Sequence, residues 1–147
     1  MTAERDGTPS PEQPFSGLIL GIHDVRLPVT DPWVSRDWYM AVLAFEPMLD
    51  LEEAAGLVGV VLRHPSGAVL GLHQDPARAA AMRGFVTCIL TVADREALEA
   101  AARELDSLGQ AHTRISQGHL GWYLDIPDPD GMVVRLHTAT TVDAEEA

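Results

Sequence analysis

A single cysteine, Cys88, is all the disulfide chemistry available to the 147 residues, so no internal bridge can form. That suits a reducing cytoplasm, the expected compartment. The thiol falls in an apolar stretch, 85–92, where a buried, inert cysteine is the expectation rather than a nucleophile. Basic residues are scarce. Ten Lys plus Arg stand against twenty-two Asp plus Glu, a formal charge of −12. No basic stripe breaks that field, which excludes nucleic acid and anionic membrane surfaces as partners. Apolar runs are short: none approaches the roughly 18 to 20 residues a membrane helix needs. The opening Met1-Thr2-Ala3-Glu4-Arg5-Asp6 lacks the basic start and apolar core of a secretory signal. Aromatics amount to only 5%, which disfavours a groove lined with rings.

What the chain does contain is a repeat. Pro65-Ser66-Gly67-Ala68-Val69-Leu70-Gly71-Leu72-His73 returns 64 residues later as Pro129-Asp130-Gly131-Met132-Val133-Val134-Arg135-Leu136-His137. Upstream, Leu27-Pro28-Val29-Thr30-Asp31 returns 63 residues later as Leu90-Thr91-Val92-Ala93-Asp94. A unit of this length cannot bury its own apolar face and pairs with its copy across a pseudo-twofold axis. The concave space between two such copies is where function is to be sought. The apolar fraction, 46%, is that of an ordinary globular domain.

Each copy reads as β-α-β-β-β. The first strand, 18–29, places Val25, Leu27 and Val29 on one face by period-two alternation. Asp31 caps a helix with Pro32 at its first position, and Val34, Trp38, Ala41, Val42 and Phe45 follow at helical spacing. Trp38 is expected in the core and Trp33 partly exposed. Strands are expected over 45–51, 56–63 and 68–74, the last two joined by the turn His64-Pro65-Ser66-Gly67. In the second copy, strand 85–92 precedes a helix capped by Asp94, carrying Leu98, Ala101, Ala102, Leu105 and Leu108 and ending at Gly109. Strands over 112–116, 120–126 and 132–138 complete it. The expected organisation is a tail (1–16), module one (17–75), a linker with a short helical piece (76–83), module two (84–139) and an acidic tail (140–147). Both tails are expected to be mobile.

The paired modules, the Val29-Thr30-Asp31 strand end, Trp38-Tyr39 and Val42-Leu43-Ala44-Phe45 on the helix, and the late Asp128-Pro129-Asp130-Gly131 turn resemble the vicinal oxygen chelate superfamily. That superfamily includes glyoxalase I, extradiol dioxygenases, fosfomycin-resistance enzymes and bleomycin-binding resistance proteins. The resemblance covers residues 17–139. It implies an α+β fold in which eight strands form a cup, an incomplete barrel, with helices outside. It also implies four metal-ligand positions, one from the first and one from the last strand of each module. Seven residues before the helix-opening Asp, and four after the turn Gly, these positions carry Asp24, Gly71, Thr87 and Arg135. Gly71 has no donor, Thr87 is a poor one, and Arg135 is a permanent cation. The expectation is no metal and no other cofactor. Instead, Asp24 and Arg135 are expected to pair where an ion would sit.

Strand alternation adds Arg26 beside Asp24, His73 beside Gly71, His137 beside Arg135, and Tyr123 with Asp125 on the penultimate strand. Asp24, His73, Asp125 and His137 are the acid–base candidates. Arg135, Arg26, Tyr123, Thr87 and Gly71 are the ligand-binding candidates, with Arg135 receiving an anionic or carbonyl oxygen. The expected function is binding or transforming a small oxygenated organic molecule without a metal, in a homodimer, by lyase- or isomerase-type chemistry if catalytic. The alternatives are sequestration of an aromatic, antibiotic-like compound, or a metal-dependent lyase or dioxygenase with displaced ligands.

Overall fold

The computed structural model describes residues 13–140, so most of the proline-bearing N-terminal tail and nearly all of the acidic C-terminal tail lie outside the described residues. The element order is α1 (Phe15–Leu18), β1 (Val25–Val29), α2 (Pro32–Leu43), β2 (Glu46–Glu53), β3 (Gly56–Arg63), β4 (Val69–Gln74), α3 (Pro76–Ala81), β5 (Val86–Val92), α4 (Arg95–Ser107), β6 (Ser116–Gln117), β7 (Trp122–Pro127) and β8 (Val133–Thr138). The strands form two four-stranded sheets, ordered β1-β4-β3-β2 and β5-β8-β7-β6, with no closed barrel. In each sheet the first strand runs parallel to the last, and the remaining pairs are antiparallel.

The repeat is visible bond by bond. The amide of Asp75 donates to Val29 O at 2.8 Å, and its counterpart Ala139 donates to Val92 O at 2.9 Å. His64 N–H meets Ala68 O and Asp128 N–H meets Met132 O, both at 2.8 Å. Both helices start where the sequence places them. The Asp31 carboxylate accepts from the amides of Trp33 and Val34, and that of Asp94 from Ala97 N.

Three expectations need correction. The first strand begins at Val25, not residue 18, because its partner β4 begins at Val69 and the register opens at Val25↔Leu70. Residues upstream have no strand beside them. The strand expected at 112–116 shrinks to Ser116–Gln117. Thr113 is held by side chain and backbone to Asp125, and His112 is drawn to Asp106, so neither enters a ladder. On α2 the buried stripe is Pro32, Ser35 and Tyr39, while Val34 is 52% exposed. Trp38 is half-buried and packs against both core clusters.

One core cluster joins the modules: Leu27, Val29, Tyr39, Val60 and Leu72 of the first pack with Cys88, Met132 and Val134 of the second. Cys88 is buried, and burial pushes its thiol pKa up, so it is the inert cysteine expected. Leu124 and Ile126 face α4, with Leu98 and Leu105, in a second cluster. The opposite faces of the sheets therefore carry the polar side chains.

Candidate functional site

On the first module, β1 and β4 lie side by side with Arg26 opposite Gly71 and Pro28 opposite His73. Gly71 is buried and presents bare backbone. A Cβ there would stand 3.5 Å from Asp24 Oδ2 and 3.8 Å from Arg26 Nε, so both side chains come to rest over it. Arg26, Pro28, His73, Gln74, Asp75 and Arg78 line a cleft of about 410 Å³. Asp75 follows β4 and caps α3. It accepts the amide of Arg78 at 3.1 Å and its guanidinium at 2.8 Å. The amide bond first, then the guanidinium, holds the Asp75 carboxyl below the usual carboxylate range. His73 Nε2 is enclosed and has no hydrogen-bond partner. Asp24 lies 3.1 Å from the exposed imidazole of His23 and opens on a different, smaller cavity of about 230 Å³ shared with Cys88, Ile89 and Leu90.

On the second module, the β7–β8 hairpin sets Tyr123 opposite His137 and Asp125 opposite Arg135. Arg135 donates through Nε to Asp125 Oδ1 at 2.8 Å and through Nη2 to Oδ2 at 3.1 Å, a two-pronged contact that leaves Nη1 for other acceptors. The hydrogen bond to Asp125 raises the guanidinium pKa further, so it is charged at every relevant pH. The guanidinium lies 4.0 Å above the ring of Tyr123, and that ring is nearly parallel (10°) to His137 at 6.3 Å. His137 Nδ1 sits 2.6 Å from Thr138 O. A carbonyl only accepts, so Nδ1 carries the proton and Nε2 of the neutral ring keeps its lone pair.

The expected Asp24–Arg135 pair is not formed. The carboxylate on Arg135 is Asp125, its cross-strand neighbour, and the two are 19% and 25% exposed. A partner on the adjacent strand needs no docking of modules and wins over one on the other sheet. Thr87 lies at the β5 irregularity between Val86 and Cys88, and its hydroxyl donates to Val133 O at 3.4 Å. Asp24, Gly71, Thr87 and Arg135 are thus an acid, a bare backbone, a committed hydroxyl and a paired cation. This donor set does not fit a divalent ion. Among the described residues no group of three His, Cys, Asp or Glu is placed to hold one.

The structure adds two further features. Arg78 enters the first cleft because Asp75 caps α3, a signal present in the Asp75-Pro76 start. A further cleft of about 460 Å³ lies between the modules, lined by Leu43, Leu90, Val92 and Leu136 with His64, Ser66 and Thr91. His64 Nδ1 accepts the amide of Ser66 at 3.0 Å, just as Asp128 Oδ1 accepts that of Asp130 at 2.9 Å in the equivalent turn.

The fold is the vicinal oxygen chelate fold, shared with solved structures of glyoxalase/bleomycin resistance/dioxygenase type. No protein-family model and no curated protein matches the chain. Solved structures do. A glyoxylase/bleomycin resistance protein/dioxygenase domain from Frankia sp. EAN1pec is 20% identical over 84% of this chain and 95% of its own, with a TM-score of 0.63. TnmS3, an antibiotic binding protein from Streptomyces sp. CB03234, is 20% identical over 83% and 99%, with a TM-score of 0.64. The fosfomycin resistance protein FosX from Listeria monocytogenes is 14% identical over 84% and 96%, with a TM-score of 0.66. At these identities the likeness is one of fold.

Proposed function

We propose that the chain binds a small, oxygen-bearing organic molecule without a metal ion, with Arg135 as the anchor for a carbonyl or anionic oxygen. The observation that carries this is the Asp125–Arg135–Tyr123 arrangement: the guanidinium is gripped on one edge and stacked on a ring. Its direction is set before a ligand arrives, so little side-chain entropy is lost on binding. Thr87 and Gly71 are the remaining ligand-contact candidates, the first with a hydroxyl that can still accept a hydrogen bond and the second with bare backbone. If the bound molecule is transformed, His137 is the better-placed base, since its bare Nε2 can take a proton; Asp24, His73 and Asp125 are the other proton-handling candidates. Asp125 is the weakest of these, being already engaged by Arg135.

A sequestering role for an aromatic ligand is the second reading. The parallel faces of Tyr123 and His137 favour it, and TnmS3, which shares the fold, is an antibiotic binding protein. The chain works as a homodimer in the cytoplasm. Exposed apolar side chains on both modules, Leu20 at 98%, Phe85 at 63% and Leu120 at 60% among them, support association. No helix among the described residues is long and apolar enough to cross a membrane.

A thermal-shift screen of aromatic antibiotics, hydroxy acids and keto acids tests the reading, because a ligand that binds the folded state raises its melting temperature. The expected result is a saturable shift that Arg135→Met abolishes. A stoichiometric Zn, Mn, Fe or Ni in protein purified without chelator would overturn the metal-free reading. Shifts indifferent to Arg135→Met would overturn the anchor.

A further inference from the structure

The first-module cleft has a charge pattern that the second module lacks. Arg26 lies on edge strand β1 opposite Gly71, so the adjacent strand offers it no side chain as a partner. Among the described residues Arg26, like Arg83, Arg103 and Arg114, has no carboxylate within 4.0 Å, and of these four it alone lines this cleft. Arg78 stands in the same cleft with one edge on Asp75. The cleft's own lining thus carries two guanidinium groups against one carboxylate, with the Asp24 carboxylate outside it on the far side of Gly71. His73, on the same wall, keeps a ring nitrogen enclosed and unpartnered, an exception of the kind that marks sites rather than scaffolds.

We propose that the cleft lined by Arg26, His73 and Arg78 is an oxyanion subsite, and that the organic ligand is an acid whose carboxylate or phosphonate is held there. This rests on the small-molecule reading above and specifies its substrate class. Arg26 supplies the unpaired fork, with Nε and two Nη groups to span two oxygens of one anion. Arg78, already oriented by Asp75, adds a second donor at the mouth. Asp24 stands across Gly71, 3.5 Å from where a Cβ would be. It repels a second negative group there and so confines the anion to the Arg26 side.

Titration calorimetry at constant ionic strength with benzoate, phenylphosphonate and the neutral isostere benzamide tests this. Wild type, Arg26→Met, Arg26→Gln, Arg78→Met and the control Arg103→Met are compared, each checked for an unchanged melting profile. The expected result is saturable binding of one or both acids and binding of benzamide at least about tenfold weaker. Either Arg26 variant is expected to lose at least about tenfold in acid affinity, against about threefold or less for Arg103→Met, an exposed position on α4 away from both clefts. The stronger of the two acids names the head group. Equal binding of benzamide, indifference to both Arg26 variants, or no binding of either acid overturns the subsite. In that last case the broader reading stands if neutral carbonyl compounds still give Arg135-dependent thermal shifts, and falls with it if they do not.

Discussion

The hydroxyl of Tyr39 donates to Asp128 Oδ2 at 3.0 Å, joining the helix of one module to the turn of the other across 89 residues. Both are buried, and the other Asp128 oxygen accepts the amides of Asp130 and Met132. Burial first, then the neighbouring carboxylate, drives the Tyr39 pKa far up, so the phenol stays a donor. Burial also raises Asp128, against the hydrogen bonds that favour its ionised form. Asp130 adds a second stitch by accepting the amide of Thr30 at 3.2 Å. Tyr39→Phe leaves a buried acceptor one donor short, and a loss of about 1 to 3 kcal/mol is expected in urea unfolding. In a double-mutant cycle with Asp128→Asn, the two effects should be far from additive.

The Asp125–Arg135 grip is expected to matter for binding more than for folding. Both side chains are partly exposed, so Asp125→Asn should cost about 1 to 2 kcal/mol, measured by chemical denaturation. Any ligand that depends on Arg135 should weaken by at least about tenfold, because the guanidinium then swings free.

His112 gives stability a pH dependence of known sign. Its Nε2 lies 2.7 Å from Asp106 and its Nδ1 2.7 Å from Thr113 O, so both nitrogens act as donors and the charged ring is favoured. The bond to Asp106 first, then that to Thr113, raises its pKa above the ordinary value. A raised histidine contributes fully below the unfolded pKa, about 6.5, and loses that contribution as pH rises through the folded value. The stability gap between wild type and His112→Gln should therefore be widest near pH 5.5 and shrink towards pH 8.5. A gap that grows with pH would contradict this account.

Two glycines on neighbouring strands should respond differently to alanine. A Cβ on Gly59 would stand 2.8 Å from the backbone oxygen of Leu72, which cannot move without breaking the β3–β4 ladder. A Cβ on Gly71 meets only side-chain atoms at 3.5 and 3.8 Å. Thermal melts should show Gly59→Ala destabilised by about 1 to 3 kcal/mol and Gly71→Ala within about 0.5 kcal/mol of wild type.

Much of this was legible from residues close together in the chain. Asp31-Pro32 and Asp94 announce their helices because a cap acts on amides two or three positions away. Period-two alternation put Leu27 and Val29 on one face, and that face is in the core. The Asp125–Arg135 pairing was also within reach. The Asp128-Pro129-Asp130-Gly131 turn sets the β7–β8 register, and that register puts Asp125 opposite Arg135. Reasoning from the four ligand positions of a resemblance looked across the cup instead, and named the wrong partner.

Repeat, helix caps, turns and strand faces are inscribed in the chain, since each depends on backbone preferences and side-chain spacing over a few residues. How the copies meet is another matter. Tyr39 finds Asp128, Trp38 finds Gln110 at 2.9 Å, and Asp24 and Arg26 come to rest over Gly71 only after the sheets have packed. Those contacts follow from the rigid placement of one folded body against another, and no local pattern of residues encodes which charge will then find a partner and which, like Arg26, will not.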